Sequence, residues 1–555
     1  MKADLVVLEG RVLTMDRDHP RAEAVAVSDG KIIAVGSTTE IEILIGPETK
    51  IISAHGGTVL PGFIESHMHL FGGASQLSYL DLTGLFGFEN VAEAVRAYAA
   101  ANPDARLLTG KMASYTMLGE GTRLDRHHLD RILPDRSLAF VSFDNHTMWG
   151  NTLALEKAGL LQGLEVSPGN AVVMGDDGLA NGELNEAEAY NPLLRFGGLD
   201  RGMLGMTTGG EPDPKPTKDE FASDVRMVKD ALKWCAQHGI TSIHNMDGNF
   251  YTFEIFEKIQ RDGDLLCRVK VPFHYKNFMK LDDLEKASTM TARHDTEWLS
   301  SGLVKMFYDG VLDGHTAYML DGYGDQPDFQ GEPLFTQEQF NEVAIEADRR
   351  GLQIAVHAIG SGAVRSVLNG YEAAAAANGT RDSRHRLEHI EVIDPDDLPR
   401  IAGLGAIASV QPPHPPGMMG TPLEPTLTVV GQERLPYFYA FRTFKESGAH
   451  VVFASDWPVA DLNVMRGVHA AMTREPYLPH LPDQRFTLHE ALYSYTVEGA
   501  YAEHAENIKG RLQVGMLADI VVLSADIEAV PTDDIPQITP ITTICGGKVT
   551  FQAAQ

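Results

Sequence analysis

The sequence predicts an α/β chain: a (β/α)8 TIM-type barrel with a large insertion after its first strand, and a small β-sandwich formed by both chain termini. Three observations carry that prediction. Short apolar runs alternate with amphipathic stretches through the middle of the chain. The two ends read alike, as hairpins. A single gap, residues 70–239, breaks the alternation.

At the N-terminus, "ADLVVLEGRVLTM" and "AEAVAVSDGKIIAVG" are short β-rich runs broken by Gly or Asp-Gly, the pattern of hairpins. Near the other end, "LADIVVLSAD" and "ITTICGGKVTF" repeat it. Pairing of the two ends predicts a sandwich of residues 1–56 and 506–555, leaving 57–505 for the barrel. The strand candidates are residues 57–67, 240–246, 267–275, 303–310, 352–360, 385–392, 406–414 and 450–459. Between them, "PTKDEFASDVRMVKDALKWCAQHG" and "TQEQFNEVAIEADRRG" space their apolar residues by three and four, as amphipathic helices do. Eight strands buried on both faces, with helices between them, describe a barrel. The gap at 70–239 exceeds what one helix needs, so it holds an insertion with strand candidates "ARLLTGK" and "LAFVSFDNH".

Composition narrows the function. The 555 residues exceed one ordinary domain; 43% are hydrophobic and 22% charged, enough for a sizeable core. A net charge of −30 leaves no basic footprint for nucleic acid or an anionic membrane. Cys235, Cys267 and Cys545 are too few and too scattered for a disulfide framework or a cysteine zinc site. The first apolar stretch is too short for a signal-peptide core, and no run reaches spanning length. A cytoplasmic enzyme or binding protein is the expectation.

Barrel enzymes place their chemistry at the C-terminal ends of the strands. Here those ends carry His67, His69, Lys305, Asp309, His357, His389, His414 and Asp456. A His-x-His pair arises by chance about once in a chain with this many histidines, so its position must carry the argument. Residues i and i+2 of a strand share a face, so His67 and His69 can grip one metal while Met68 faces away. A lone strand-end histidine is usually a hydrogen-bonded core residue. Four histidines and an aspartate converging on one barrel mouth fit a metal centre better than packing, because buried polar groups need partners.

The segments "PGFIESHMH", "VKMFYDG", "VHAIG", "RLEHIEV", "SVQPPH" and "FASDWPV" together resemble the amidohydrolase superfamily. More narrowly, they resemble its branch of metal-dependent hydrolases that includes N-substituted formamide deformylase (amidohydrolase family 3). The similarity extends to "NHTMWGNTLAL" in the insertion and "GRLQVGMLADIVVL" near the C-terminus. It implies His67, His69, His357 and His389 as metal ligands, and Asp456 as ligand and general base. Lys305 matches the position that is a carboxylated lysine bridging two metals in binuclear members; a carbamate can bridge cations where an ammonium cannot. One departure is visible: relatives often carry Asp after "HAIG", where this chain has Ser361.

The expected activity is hydrolysis of a carbon–nitrogen bond in a non-peptide amide, such as an N-substituted formamide or N-acyl amide, by metal-activated water. Zn2+ is the simplest ion, with two per subunit if Lys305 bridges them. His146, Trp149, His414 and Trp457 are the candidate substrate-binding residues, and a medium-sized, largely apolar amide is the expected partner. A homodimer is expected, with no nucleic acid and no membrane. Two alternatives stay open: a mononuclear deaminase of cyclic amidines, disfavoured by the absence of His-x-x-Glu after strand five, and a catalytically silent regulatory or binding barrel.

Overall fold

The computed structural model describes residues 2–115, 117–119, 122–142, 147–166, 170–199 and 210–554. The chain divides into two compact units: Met1–Leu70 with Gly205–Gln555, and Phe71–Leu204.

In the first unit the apolar runs become parallel strands: β1 (Phe63–Met68), β2 (Ile240–Asn245), β3 (Arg268–Lys270), β4 (Leu303–Phe307), β5 (Gln353–Ala358), β6 (Arg386–His389), β7 (Ile407–Val410) and β8 (His450–Phe453). β1, β2 and β3 form one sheet, with Leu299–Ser300 beyond β3. β4 to β8 form a second sheet in chain order, with Phe273–His274 at its edge beside β4. The third run therefore changes sheets between Lys270 and Phe273. Pro272 lies in that break and has no N–H to give a ladder. At the other edge, past the strand ends, Asp456 N donates to His67 O at 3.0 Å and His69 N to Trp457 O at 2.8 Å.

Register decides which side chains become neighbours. Lys305 pairs with Ala355, Phe307 with His357, His357 with Glu388, and Ala358 with His389. The chemistry-bearing residues of β4, β5 and β6 are thus adjacent across the sheet.

The chain ends meet in one sheet: Thr58–Pro61 pairs antiparallel with Ile520–Leu523, Leu60 opposite Val521. Leu5–Leu8 belongs to a separate four-stranded sheet, and Val7 and Val25 from that sheet share one apolar cluster with Val59, Ile520 and Ile544.

The second unit is built on a six-stranded sheet that contains both expected insertion strands, as Leu108–Ala113 and Leu138–Ser142. Its boundaries differ from the expected 70–239. The helix Lys218–Gln237 opens with a Thr217/Glu220 capping box and buries Val225, Val228, Leu232 and Cys235. That apolar stripe packs within the first unit, against β2 and the C-terminal strands. The insertion is therefore shorter than the gap in strand rhythm: a helix preceding β2 belongs with the strand it covers. Among the described residues no helix is long and apolar enough to cross a membrane.

Candidate metal centre

The six expected ligands all lie in the first unit, within or just past the C-terminal halves of parallel strands. Among the described residues, His67, His389 and Asp456 each offer a ligand atom, and these atoms lie within 4.8 Å of one another. Asp456 Oδ1 is 3.3 Å from His67 Nε2 and 3.4 Å from His69 Nε2. The rings of His67 and His389 meet at 4.9 Å between centroids, and those of His357 and His389 at 4.5 Å. Lys305 is wholly buried among them.

Each histidine is turned by a partner on its other nitrogen. Nδ1 of His67 lies 2.6 Å from Glu388 Oε2, Nδ1 of His69 2.9 Å from Asp247 Oδ1, and Nδ1 of His389 2.9 Å from Gln411 Oε1. These contacts leave three Nε2 atoms for the centre. His357 is reversed: its Nε2 donates to Gly310 O at 3.0 Å, so Nδ1 is its available ligand atom. The backbone is held in the left-handed region at two of these residues, His389 (φ 77°) and Asp456 (φ 60°). Such strain costs on the order of 1–3 kcal/mol per residue and persists where the surroundings impose it. At Asp456 the bonds to His67 O and, one residue earlier, from Ser455 N to Glu65 Oε1 (2.8 Å) do so.

The electrostatics follow from this crowding. Burial lowers the His357 pKa to about 3, helped by the Lys305 charge, and burial with His357 holds His389 well below the imidazole range. Both rings are neutral lone-pair donors. Burial opposes a charge on Asp456, but His67 and His69 outweigh it and hold the carboxyl well below its usual range. Burial brings the Lys305 amine down to about 8, against the pull of Glu388 and Asp456.

A cation answers what the protein alone leaves unsatisfied. His67 Nε2, Asp456 Oδ1, Lys305 Nζ and His414 Nε2 are buried and have no hydrogen-bond partner among the described residues. Buried polar atoms left bare cost about 1–3 kcal/mol each. A donor set of imidazoles and a carboxylate suits a divalent ion such as zinc.

The other candidates fall in different places. The His414 ring lies parallel to that of His389 at 6.1 Å, with Nε2 4.0 Å from Asp456 Oδ2. Trp457 is nearly buried, its backbone N–H donating to Ser455 Oγ at 3.0 Å. Trp149 is wholly buried in the core of the second unit, edge-on to Tyr115. His146 lies outside the described residues. Asp309 proves to be a clamp: its carboxylate accepts Ile359 N (3.1 Å), Gly360 N (2.8 Å) and Tyr318 N (2.9 Å). It thereby serves the amides just before Ser361, whose Oγ accepts Leu320 N at 3.2 Å. Gly360 permits this closeness, since a Cβ there would meet Tyr318 O at 2.2 Å.

Sequence reasoning missed the orienting residues Glu388, Asp247 and Gln411. Each is a polar residue next to a strand end, in "RLEH", "HNMD" and "VQPPH". That position is the one signal that could have found them.

The geometry agrees with the comparisons to known proteins. A family model described as amidohydrolase family matches residues 50–551. The chain belongs to the amidohydrolase family. It is 29% identical to Protein LONG AFTER FAR-RED 3 of Arabidopsis thaliana, over 98% of this chain and 91% of that one. It is 23% identical to the N-substituted formamide deformylase of Arthrobacter pascens, over 99% and 98%. Among solved structures it is similar to an uncharacterized metal-dependent hydrolase from Pyrococcus horikoshii, with a TM-score of 0.72 and 23% identity over 95% of this chain and 99% of that one. This amidohydrolase is thus a hydrolase of carbon–nitrogen bonds, with an α/β fold of TIM-barrel type.

Proposed function

We propose that this amidohydrolase cleaves a non-peptide amide, an N-substituted formamide or small N-acyl amide, in a centre held by His67, His69, Lys305, His357, His389 and Asp456. The observation that carries the reading is the set of buried atoms without a hydrogen-bond partner among the described residues, His67 Nε2 and Asp456 Oδ1 3.3 Å apart, and Lys305 Nζ. The strand order supports a closed eight-stranded barrel, and the core shared by the terminal sheets supports a sandwich.

A divalent ion, most simply Zn2+, when bound supplies a water of lowered pKa and polarises the scissile carbonyl. The protein's own groups do the rest. Asp456, ionised and locked by its backbone bond to His67, accepts a proton from the attacking water and passes it to the departing amine. The neutral His414 ring, beside Asp456, binds the carbonyl oxygen as a donor. Lys305, with CO2 bound as a carbamate, would become an anionic oxygen ligand able to help hold a second ion.

Purified protein should contain a divalent ion, and a panel of N-formyl and N-acyl amides against cyclic amidines should yield carboxylic acid and amine from the amides. Ammonia release from the amidines alone would select the deaminase reading. No turnover with metal bound would select the binding-module reading.

A further inference from the structure

A column of polar side chains runs inside the first unit from the metal centre to the N-terminal ends of the strands. It starts at His67, whose Nδ1 lies 2.6 Å from Glu388 Oε2. Arg386, at the start of β6, donates Nη2 to the same oxygen at 3.2 Å, with Nε 2.7 Å from Oε1. Nη2 also donates to Ser66 O at 2.6 Å and Ser409 Oγ at 2.9 Å, and Nη1 reaches His244 Nδ1 at 3.0 Å. On the far side of that ring, His244 Nε2 is 3.1 Å from Glu503 Oε1. Lys509 closes the column, Nζ 2.6 Å from the same Glu503 oxygen and donating to Ser242 Oγ at 2.7 Å. Glu388, Arg386 and His244 are fully buried, and Lys509 nearly so.

The donor pattern reads in one direction. A guanidinium has no acceptor, so His244 must accept at Nδ1 and carry its proton on Nε2, towards Glu503. Glu388 is spanned by the guanidinium on one side, so as a carboxylate it can only accept from His67. The His67 proton therefore sits on Nδ1, and Nε2 presents a bare lone pair to the centre. Burial of this many charges is tolerated because each stands against an opposite charge, although Arg386 Nε, Glu388 Oε1, His244 Nε2 and Glu503 Oε1 make no well-aligned hydrogen bond among the described residues; removing one charge strands the next.

We propose that this column fixes the tautomer and orientation of His67, and that Arg386, His244, Glu503 and Lys509 are positioning residues for the metal centre although none touches it. The inference rests on the metal-centre reading above. It makes the ligand geometry depend on residues 503–509, which follow the last helix of the barrel region.

The test is metal affinity rather than turnover. Apparent affinities of the full chain for Zn2+ and Co2+ would be measured by chelator competition, with the Co2+ absorption spectrum recording ligand geometry. Glu388→Gln should weaken binding about 10–100-fold, the usual effect of an outer-shell partner. Glu503→Gln and His244→Gln should weaken it roughly three- to tenfold and alter the Co2+ spectrum. The control is Asp519→Asn, which breaks the buried Arg268–Asp519 pair (2.7 Å) of the same unit, outside the column. It should destabilise the fold yet leave affinity within about twofold. Should Glu503→Gln not fold, Lys509→Gln removes the same contact. Wild-type affinity in the Glu503 and His244 variants would overturn the column, as would an equal loss in Asp519→Asn. A wild type that binds neither ion would instead overturn the metal-centre reading itself.

Discussion

Oδ1 of Asp456 faces Nε2 of His67 across 3.3 Å with no hydrogen between them to share if His67 is protonated on Nδ1. Two bare lone pairs at that separation repel, and a cation between them relieves it. Adding Zn2+ should therefore raise the thermal midpoint; at a hundredfold excess over Kd the gain is about 2.7 kcal/mol. Asp456→Asn should lose most of that gain and, as the general base, cost roughly 10²–10⁴-fold in turnover. Near-normal turnover in Asp456→Asn with metal bound would place the base elsewhere.

Lys305 should decide how many ions bind. Its wholly buried amine has no hydrogen-bond partner among the described residues. Lys305→Ala should bind about one equivalent less metal per chain, read by elemental analysis; equal content would leave a one-ion site. The pH dependence of the metal-free protein, with CO2 excluded, is a second check. Burial lowers the folded pKa to about 8, below an unfolded lysine near 10.4, so between those values the unfolded chain binds more protons. Stability from this group thus rises with pH across that window. Lys305→Met should be more stable than wild type at pH 7, with an advantage that shrinks by pH 10 in urea titrations.

How far the sequence revealed this site depends on separation along the chain. His67 and His69 were legible as candidates because i and i+2 of an extended segment share a face, a local fact, although the strand itself ends at Met68. Each strand-end candidate was legible from the end of an apolar run. Glu388 was not assigned to His67, because the two are 321 residues apart and only the curl of the sheets brings them together. The same holds for Asp247 and His69, 178 residues apart. The helix Lys218–Gln237 was legible as a helix but not as part of the first unit, since its apolar stripe does not say what it covers. The change of sheet at Pro272 was written in "VKVPFHY", where a residue without an N–H interrupts a strand.

Asp309 should be a stability residue more than a catalytic one. Its buried carboxylate satisfies three backbone N–H groups that belong to the β5 end and to the chain after β4. Asp309→Ala strands all three, and with partial relaxation the loss should be roughly 2–4 kcal/mol. Urea unfolding of metal-free protein measures it. A loss under about 0.5 kcal/mol, within the range of surface substitutions, would mean that those amides find other acceptors.

Trp149 separates packing from recognition in the second unit. It is wholly buried in that unit's core, where Trp→Ala substitutions cost about 3–5 kcal/mol. Trp149→Ala should therefore lower the unfolding midpoint, and Trp149→Phe should recover most of the loss. A change in the ranking of amide substrates in Trp149→Phe, without loss of stability, would give the residue a part in specificity.

His414 should act on the substrate rather than on the metal. Its ring is nearly buried and stacked parallel to His389, yet Nε2 has no hydrogen-bond partner among the described residues and stands 4.0 Å from Asp456 Oδ2, beyond bonding distance. Burial lowers its pKa, so the ring is neutral at pH 7 and carries one proton. A neutral donor held beside the base suits an oxygen that gains charge as the carbonyl is attacked. Removing one such donor typically costs about 10²–10³-fold in kcat. His414→Phe keeps a flat ring against His389 and removes the N–H, so metal content should match wild type while kcat falls by about that factor and KM changes little. His414→Gln, which restores a donor, should recover part of the loss. Reduced metal content in His414→Phe would instead make His414 a ligand, and unchanged kcat would remove it from the reaction.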